Sequence, residues 1–293
     1  MRVLTTGRSS AAFTAAALLL TLSACVPGAT PGSPGAGPVP ATATSGLPSS
    51  HVHGLSVNRT TDQVLLATHD GLFDVTKLPG TKIGATNDLM GFTAAADQGV
   101  FYASGHPGPG SDLPNPMGLI RSVDGGKTWE QLSRQGESDF HALAATASGI
   151  VAYDGTLQTS PDGKTWTPAR AGFVPAVLAG TPEGDTVLAT TREGVQRSTD
   201  GGKTWELNAT APIVQFVAFA GATEVIGVEP GGTVHYSADA GRTWTRTGQI
   251  EGQVQAMTAV TGAEGKPRIW AATAERLVVS TDGGASFRAA DSS

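Results

Sequence analysis

The segment Ser198-Thr-Asp200-Gly-Gly202-Lys-Thr204-Trp205 decides the fold, because the chain of 293 residues contains it five times with small changes. The copies are regularly spaced, at intervals of 38, 38, 39 and 43 residues. They begin at Ser122, Ser160, Ser198, Ser237 and Ser280. An internal repeat of about 40 residues predicts a row of similar structural units, each too small to bury a core alone.

Each copy has the chemistry of a hairpin turn that leads into a strand. The carboxylate of its aspartate can accept backbone N–H bonds, while the glycine two residues later supplies a positive φ that other residues avoid. The Thr-Trp pair begins the next strand and offers a ring large enough to pack between neighbouring sheets. The second copy is one residue shorter, and the last has Ser286-Phe287 instead of Thr-Trp.

These segments resemble the Asp-box, or BNR repeat, of sialidases, sortilin-type receptors and other β-propellers. The resemblance implies a turn that stabilises the fold and lies away from the ligand face. The aspartates of the five copies are therefore assigned to folding and not to chemistry. They are Asp124, Asp162, Asp200, Asp239 and Asp282.

The repeat predicts an all-β, six-bladed β-propeller over residues 51–293. Two further apolar runs precede each Asp-box, as a blade of four strands requires. The region before the first Asp-box supplies a sixth unit without one, with apolar runs His53–Val57, Val64–Ala67 and Leu72–Val75 and a turn at Pro79-Gly80. The innermost strands are predicted to start near residues 51, 89, 139, 175, 214 and 254.

Residues 1–24 predict a lipoprotein signal peptide. Arg2 and Arg8 precede an apolar run, Ala11 to Leu22, that is shorter than the span of about 20 residues a membrane requires. Leu22-Ser23-Ala24-Cys25 resembles the lipobox of bacterial lipoproteins, which implies cleavage before Cys25 and lipidation of its thiol. The alternative is an ordinary signal peptide followed by an incidental cysteine. The lipobox implies an exported protein, lipid-anchored to the outer face of the bacterial cell membrane.

Residues 25–50 predict a tether between the lipidated Cys25 and the propeller. Val26 to Ser50 contain six prolines and five glycines but no charged or aromatic residue. Such a segment cannot bury enough apolar surface to offset the entropy of ordering it. Because Cys25 is the only cysteine, the chain has no intramolecular disulfide and no thiolate zinc site.

The charge of the chain excludes one class of partner. The net charge is -6, and no cluster of lysines and arginines compensates for it. A nucleic-acid surface needs a basic face to displace counterions, so we expect no nucleic-acid partner. The expected partners are the membrane, through the lipid anchor, and a glycan or other extracellular ligand, bound by a monomer.

The histidines point to a site at one end of the propeller axis. Five of the six fall in the first three blades, where the start of the innermost strand and the loop after the second strand open on the same face. These five are His51, His53, His69, His106 and His141. Imidazoles converging from several blades suit a transition metal, copper or zinc, and Met90 would favour copper. The alternative is a set of channel-lining histidines bonded to water and backbone.

A long loop emerges beside these histidines. It runs from Pro107 to Met117 and contains four prolines, which stiffen it. A stiff loop at this position is predicted to wall a binding pocket on the histidine-rich face, whereas the alternative is a tolerated insertion.

The sequence leaves enzymatic activity open. The resemblance to sialidases would imply an arginine cluster, a tyrosine nucleophile with a glutamate partner and an Arg-Ile-Pro motif, and these residues are not found here. A different glycoside hydrolase on extracellular glycans could use two of Asp70, Asp139 and Asp154, because such enzymes need a carboxyl pair about 5 to 9.5 Å apart. A third hypothesis is an assembly scaffold with no ligand on that face.

Overall fold

The computed structural model describes residues 46–290 and shows a six-bladed β-propeller. Each blade is a sheet of four antiparallel strands that follow one another in sequence. The predictions for residues 1–24, for Cys25 and for the tether as far as residue 45 lie outside the described residues. Among residues 46–290 no helix is long and apolar enough to span a membrane.

The strands are short and lie in chain order from the axis outwards. Blades 1 to 3 contain β1 Val52–Val57, β2 Val64–Thr68, β3 Gly71–Asp74, β4 Thr81–Ile83, β5 Asn87–Ala94, β6 Phe101–Pro107, β7 Leu119–Ser122, β8 Glu130–Ser133, β9 Ala142–Thr146, β10 Gly149–Tyr153, β11 Leu157–Ser160 and β12 Thr167–Pro168. Blades 4 to 6 contain β13 Val177–Gly180, β14 Val187–Thr191, β15 Gly194–Ser198, β16 Glu206–Asn208, β17 Phe216–Phe219, β18 Val225–Val228, β19 Thr233–Ser237, β20 Thr245–Gln249, β21 Val254–Val260, β22 Arg268–Thr273, β23 Leu277–Ser280 and β24 Arg288–Ala289. A 3-10 turn, Ala263–Gly265, precedes β22.

The predicted architecture is confirmed. The innermost strands begin at residues 52, 87, 142, 177, 216 and 254, within three residues of the predicted starts. Blade 1 has no Asp-box and nevertheless forms four strands, as expected.

The Asp-box is a self-contained hydrogen-bonded turn. In blade 5, Asp239 Oδ1 accepts bonds from the Ser237 hydroxyl at 2.8 Å and the Thr243 N–H at 2.8 Å, and Oδ2 accepts from the Thr243 hydroxyl at 2.7 Å. Gly241 has a φ of +80°, and a Cβ there would lie 2.8 Å from the Leu188 side chain of the preceding blade. The position therefore requires glycine for both conformation and space.

The aromatic residue after each Asp-box fills the gap to the preceding blade, as predicted. Trp244 of blade 5, for example, packs with Leu188 and Val195 of blade 4. The five rings lie in five successive interblade cores and belong to Trp129, Trp166, Trp205, Trp244 and Phe287.

The seam between blades 6 and 1 is closed without an Asp-box ring. Trp270 of β22 lies in an apolar core that spans both blades. The Arg268 guanidinium lies 4.7 Å from the centre of that indole and donates to both oxygens of Asp62 in blade 1, at 2.9 and 3.0 Å. The residues just before β1 also join this seam, because Gly80 donates its N–H to the Gly46 carbonyl at 3.0 Å and Leu47 packs against the same core.

The two ends of the propeller carry different chemistry. The Asp-box hairpins bond to the loops that join the first and second strands, as in the 2.9 Å bond from the Gly125 N–H to the Gly99 carbonyl. Because successive strands are antiparallel, the starts of the innermost strands and the loops after the second strands lie at the opposite end. We call that end the histidine face.

Candidate functional site

A cavity lies along the propeller axis and extends to His53 near the histidine face. The cavity has a volume of about 350 Å³ and is lined by the innermost strands of the blades. Its walls are polar and apolar in about equal parts, with Phe92 and Leu143 among the apolar residues, and His53 lies at its histidine end. At the Asp-box end the cavity is bordered by Arg59 and Glu183, which form an ion pair between blades 1 and 4.

Three of the predicted histidines meet on this face. His51 directly precedes β1, His53 lies within β1 and His69 directly follows β2, where its N–H donates to the His51 carbonyl at 3.1 Å. One ring nitrogen from each side chain lies within 4.8 Å of the others. The three rings pack with centroids 4.7 to 5.5 Å apart. The pairing of β1 and β2 therefore brings together side chains that are 18 residues apart.

Asp88 completes this group and was not among the residues predicted from the sequence. It lies in β5 of blade 2, with its Oδ2 2.6 Å from Nδ1 of His69 and its Oδ1 3.3 Å from Nε2 of His53. The second of these contacts has an ion-pair distance but not hydrogen-bond geometry, and both atoms are buried without a hydrogen-bond partner. We call His51, His53, His69 and Asp88 the first cluster.

His53 is held in its neutral form by its surroundings. Its side chain is only 8% exposed, and this burial lowers the pKa of His53 from 6.5 to about 4. The Asp88 carboxylate raises the pKa by a smaller amount, whereas the charges of His69, His51 and His141 lower it further. A neutral imidazole has a free lone pair, which is the form that binds a metal.

The other two predicted histidines share a second carboxylate. Nε2 of His106 in β6 lies 3.2 Å from Asp139 Oδ2, and Nε2 of His141 lies 2.6 Å from the same oxygen. The other oxygen of Asp139, Oδ1, is buried without a hydrogen-bond partner. We call His106, Asp139 and His141 the second cluster, which lies between blades 2 and 3.

The two clusters repeat one arrangement in successive blade pairs. His69, after the second strand of blade 1, contacts Asp88 in the innermost strand of blade 2. His106, at the end of the second strand of blade 2, contacts Asp139 just before the innermost strand of blade 3. The first cluster therefore lies between blades 1 and 2, and the second lies between blades 2 and 3.

The proline-containing loop of blade 2 contributes to the second cluster. Asn115 of this loop has its Oδ1 2.7 Å from Nδ1 of His106. The N–H of the fully buried Met117 donates to the Gly105 carbonyl at 2.8 Å, which fixes the loop beside β6. The loop therefore borders the histidine face, as predicted.

Two predicted carboxylates have surroundings of a different kind. Asp154 accepts a 2.6 Å bond from Ser138 and a 3.0 Å bond from Gln158, with an Arg134 nitrogen 3.7 Å away. Asp70 is exposed, and its N–H donates to the Thr68 hydroxyl at 3.1 Å. Of the three candidate catalytic aspartates, Asp139 is the one that contacts histidines.

Sequence signals for Asp88 and Asn115 existed but were weak. Asp88 holds the place in blade 2 that His51 holds in blade 1, because Asp88 lies opposite His106 as His51 lies opposite His69. The expected start of the strand at residue 89 left Asp88 in a loop. Met90, which was considered as a ligand, lies two residues further along β5 and is half-buried. Asn115 lies in the loop that was predicted to wall the site, yet no pattern distinguished it from its neighbours.

Comparisons with known proteins agree with the fold. The BNR/Asp-box repeat matches at residues 196–207, which include the Asp-box of blade 4. The chain therefore contains this repeat in a six-bladed propeller. A comparison with curated proteins found no match to the chain.

Solved propellers resemble the chain in structure at low sequence identity. The GH74 xyloglucanase of Xanthomonas campestris has a TM-score of 0.60 at 18% identity, covering 83% of this chain and 39% of the enzyme. A GH74 enzyme of Niastella koreensis has a TM-score of 0.56 at 19% identity, with 82% and 37% covered. A domain named as the extracellular part of a one component system from B. thetaiotaomicron has a TM-score of 0.54 at 12% identity, with 82% and 33% covered. The chain thus spans about two fifths of the xyloglucanase, and these similarities establish the fold alone.

Proposed function

We propose that this chain is an exported, lipid-anchored propeller that binds a transition-metal ion, copper or zinc, at the first cluster. The observation that carries the proposal is the convergence of three imidazoles within 4.8 Å, beside a carboxylate that contacts two of them. Imidazole and carboxylate are ligands that both copper and zinc accept. The anchor is supported by the lipobox-like Leu22-Ser23-Ala24-Cys25.

The contacts of the first cluster match those of a metal site. Ligands on one tetrahedral ion, at bonds of about 2.0–2.1 Å, lie about 3.3 Å apart. The buried Nε2 of His53 and Oδ1 of Asp88 are 3.3 Å apart and lack other hydrogen bonds. An ion bound to both atoms would satisfy the hydrogen-bonding capacity that the protein leaves unused.

His69 has the orientation of a histidine prepared for metal binding. Its Nδ1 contacts the Asp88 oxygen at 2.6 Å, and a carboxylate can only accept a bond there. Nδ1 therefore carries the hydrogen, and Nε2 keeps its lone pair. A carboxylate that fixes the tautomer of a ligating histidine is a common feature of metal sites and raises the basicity of the ligand.

Metal titration of the full chain tests the proposal. Zn²⁺ and Cu²⁺ are each titrated into the wild type and the double variant His53→Ala, His69→Ala by calorimetry, and elemental analysis gives the bound metal. We expect the double variant to lose at least about 100-fold in affinity at this site, because two ligands and their tautomer control are removed. Equal affinity in the two proteins would refute the site.

Two further variants separate binding from folding. His235 of blade 5 also contacts a carboxylate, with Nε2 2.6 Å from Glu229, but lies outside both clusters. His235→Ala should therefore leave metal binding unchanged. His51 is exposed, so His51→Ala should weaken binding without disturbing the core, which thermal unfolding would verify.

The glycoside hydrolase alternative is separated by the same proteins. The carboxylates that it would use include Asp139, which already contacts two imidazoles. Release of sugar from xyloglucan or another extracellular glycan, abolished by Asp139→Asn but kept in the His53→Ala, His69→Ala protein, would replace metal binding as the function. Absence of both metal binding and hydrolysis would favour the assembly scaffold.

A further inference from the structure

We infer that a cleft between blades 3 and 4 binds an acidic oligosaccharide. The cleft has a volume of about 540 Å³ and lies between the outer strands of blade 3 and residues Lys203 and Thr204 of the blade 4 Asp-box. We call it the interblade cleft. The loop between β9 and β10 also borders it, which places the cleft at the Asp-box end of the propeller. The inference is therefore independent of the metal site proposed on the histidine face.

The interblade cleft lies where the outermost strand of blade 3 leaves its own blade. This strand, β12, spans two residues and ends at Pro168, which has no N–H for further pairing. The chain then crosses to blade 4, where the Arg170 N–H donates to the Lys203 carbonyl at 2.9 Å. Arg170 also forms an isolated parallel bridge with Thr204. The crossing brings a basic residue of blade 3 beside a basic residue of blade 4.

These two basic residues suit an anionic group. Arg170 and Lys203 both line the cleft and are exposed, and within residues 46–290 neither side chain has an ion-pair or hydrogen-bond partner. Asp200 also lines the cleft, but Oδ1 and Oδ2 of its carboxylate accept bonds from Thr204 of the same turn, at 3.0 and 2.6 Å. The cleft therefore offers two cations to a ligand against one carboxylate that is already hydrogen-bonded.

Two threonine hydroxyls on the blade 3 wall suit a polyhydroxylated ligand. Thr159 and Thr167 lie directly opposite each other in β11 and β12, so their Cβ atoms are about 4.5–5.5 Å apart. Thr159 faces blade 4, because a Cβ on Gly202 would lie 3.4 Å from its methyl group. Neither hydroxyl has a hydrogen-bond partner in the part of the chain that the structure describes. Each hydroxyl can donate and accept, which matches neighbouring hydroxyls on a sugar ring.

The remaining surface of the cleft favours a sugar over a peptide. Its larger apolar residues are Ile150, Pro161 and Pro168, which offer flat contacts for the C–H groups of a sugar ring. A peptide is usually anchored by side chains in deep apolar or aromatic pockets, and no aromatic residue lines this cleft among the described residues. The volume lies within the range of about 300–1,000 Å³ that is typical of small-ligand sites. The ligand class is therefore an oligosaccharide that carries carboxylate or sulfate groups.

Binding of a charged and a neutral trisaccharide tests the inference. Trigalacturonate, a neutral galactose trimer and a sulfated galactose trimer are each titrated by calorimetry into the full chain, kept free of metal with EDTA. We expect trigalacturonate or the sulfated trimer to bind at least about 10-fold more tightly than the neutral trimer. The tighter of the two charged sugars identifies the anionic group, and its affinity should fall as salt is added.

A matched pair of double variants locates the binding. Arg170→Ala, Lys203→Ala should weaken the charged trimer by about 10- to 100-fold, because two charged hydrogen-bond donors are removed. Lys127→Ala, Arg246→Ala removes the same two types of charge at exposed residues outside the cleft and should leave the affinity unchanged. Zn²⁺ affinity should be the same in both variants and the wild type, so failure of this inference is distinct from failure of the metal site.

Three outcomes would overturn the inference. The first is that neither charged trimer binds the wild type. The second is an equal loss of affinity in the two double variants, which would reduce the effect to net charge. The third is that triglutamate binds as tightly as the charged trimer, which would assign the cleft to an acidic peptide.

The threonines provide a test that leaves the charges in place. Valine keeps the branched shape of threonine, so Thr159→Val, Thr167→Val should fold normally, which thermal unfolding checks. This variant should bind the charged trimer about 10-fold more weakly and inorganic sulfate as well as the wild type does, because only the sugar uses the hydroxyls. Unchanged affinity for the trimer, or an equal loss for sulfate, would contradict the sugar assignment.

Discussion

Aspartates at the two ends of the propeller have opposite surroundings. In the Asp-box of blade 5, both oxygens of Asp239 accept hydrogen bonds from residues at most four positions away. On the histidine face, Asp88 and Asp139 each keep one buried oxygen without a hydrogen-bond partner, and each contacts at least one histidine of the preceding blade. Asp139 also contacts His141, two positions along the chain. The Asp-box carboxylate has its hydrogen-bond donors within the same turn. The carboxylates on the histidine face each have one oxygen that is still able to bind a ligand.

This difference shows why repetition in a sequence is a poor guide to function. The five Asp-box aspartates recur because five of the six blades use the same turn, and their hydrogen bonds stay within that turn. Asp88 and Asp139 do not recur in the sequence pattern, yet they occupy related places in successive blades. Substitutions at the two ends should therefore affect different properties of the protein.

The largest expected effect is on metal affinity, from Asp88→Asn. Asparagine keeps the size and one oxygen of the side chain but removes the charge that contacts His53 and His69. Zn²⁺ affinity at the first cluster should fall by about 10- to 100-fold, equivalent to about 1.4–2.7 kcal/mol. The free energy of unfolding of the metal-free protein should change by less than about 1 kcal/mol, because the amide oxygen can still accept the bond from His69 and no buried charge is left unpaired. Calorimetric titration and chemical unfolding measure the two quantities.

An unchanged Zn²⁺ affinity in Asp88→Asn would mean that this aspartate of the histidine face does not bind the metal. It would then not differ in function from the Asp-box aspartates. A large loss of stability in the metal-free variant would show that Asp88 is a structural residue like Asp239.

The next effect is on stability, from Asp239→Ala in the Asp-box of blade 5. The N–H groups of Arg242 and Thr243 lose their acceptor, at 3.0 and 2.8 Å in the native turn. We expect a loss of about 1–2 kcal/mol in the free energy of unfolding, with metal binding unchanged. Asp70→Ala, at an exposed aspartate of the histidine face, is the control and should change stability by less than about 0.5 kcal/mol. Weaker metal binding in Asp239→Ala would contradict the separation of the two ends.

The smallest effect is the response of the Asp-boxes to acid. The N–H of Thr243 and, with it, the hydroxyls of Thr243 and Ser237 lower the pKa of Asp239 from 3.8 to about 2, against an opposing effect of burial. Asp239 therefore takes up a proton at higher pH in the unfolded chain than in the folded protein. The hydrogen bonds to its carboxylate stabilise the fold above pH 3.8, and this stabilisation is lost as the pH falls towards 2. The thermal midpoint of the wild type should fall through this range. Asp239→Asn should fall less steeply, and an identical slope in both proteins would argue against the assigned cause.

The number of blades and the turn chemistry were predictable because they depend on local pattern. Five copies of Ser-x-Asp-x-Gly and the runs between them define where hairpins and strands occur. The ring of Trp244 between blades 4 and 5 follows from the same pattern, because an aromatic residue that begins an outer strand has only the neighbouring blade to pack against.

The candidate site was predictable only in part. The histidines after the second strands and at the innermost strands were correctly placed on one face, since strand order fixes which loops share an end. Their division between Asp88 and Asp139 was not, because it depends on how neighbouring blades are placed and on the exact start of β5. The contact between Asn115 and His106 depends on the path of a loop whose prolines limit its conformations without specifying one.

The sequence by itself determined the repeat, the six blades and the end of the axis where imidazoles gather. These properties follow from periodicity and from the alternation of strand direction, which act within a blade. The tertiary structure alone decided that two carboxylates divide the histidines and that each keeps a buried oxygen unbonded. Those properties arise between blades, where side chains distant in sequence meet at distances that only packing sets.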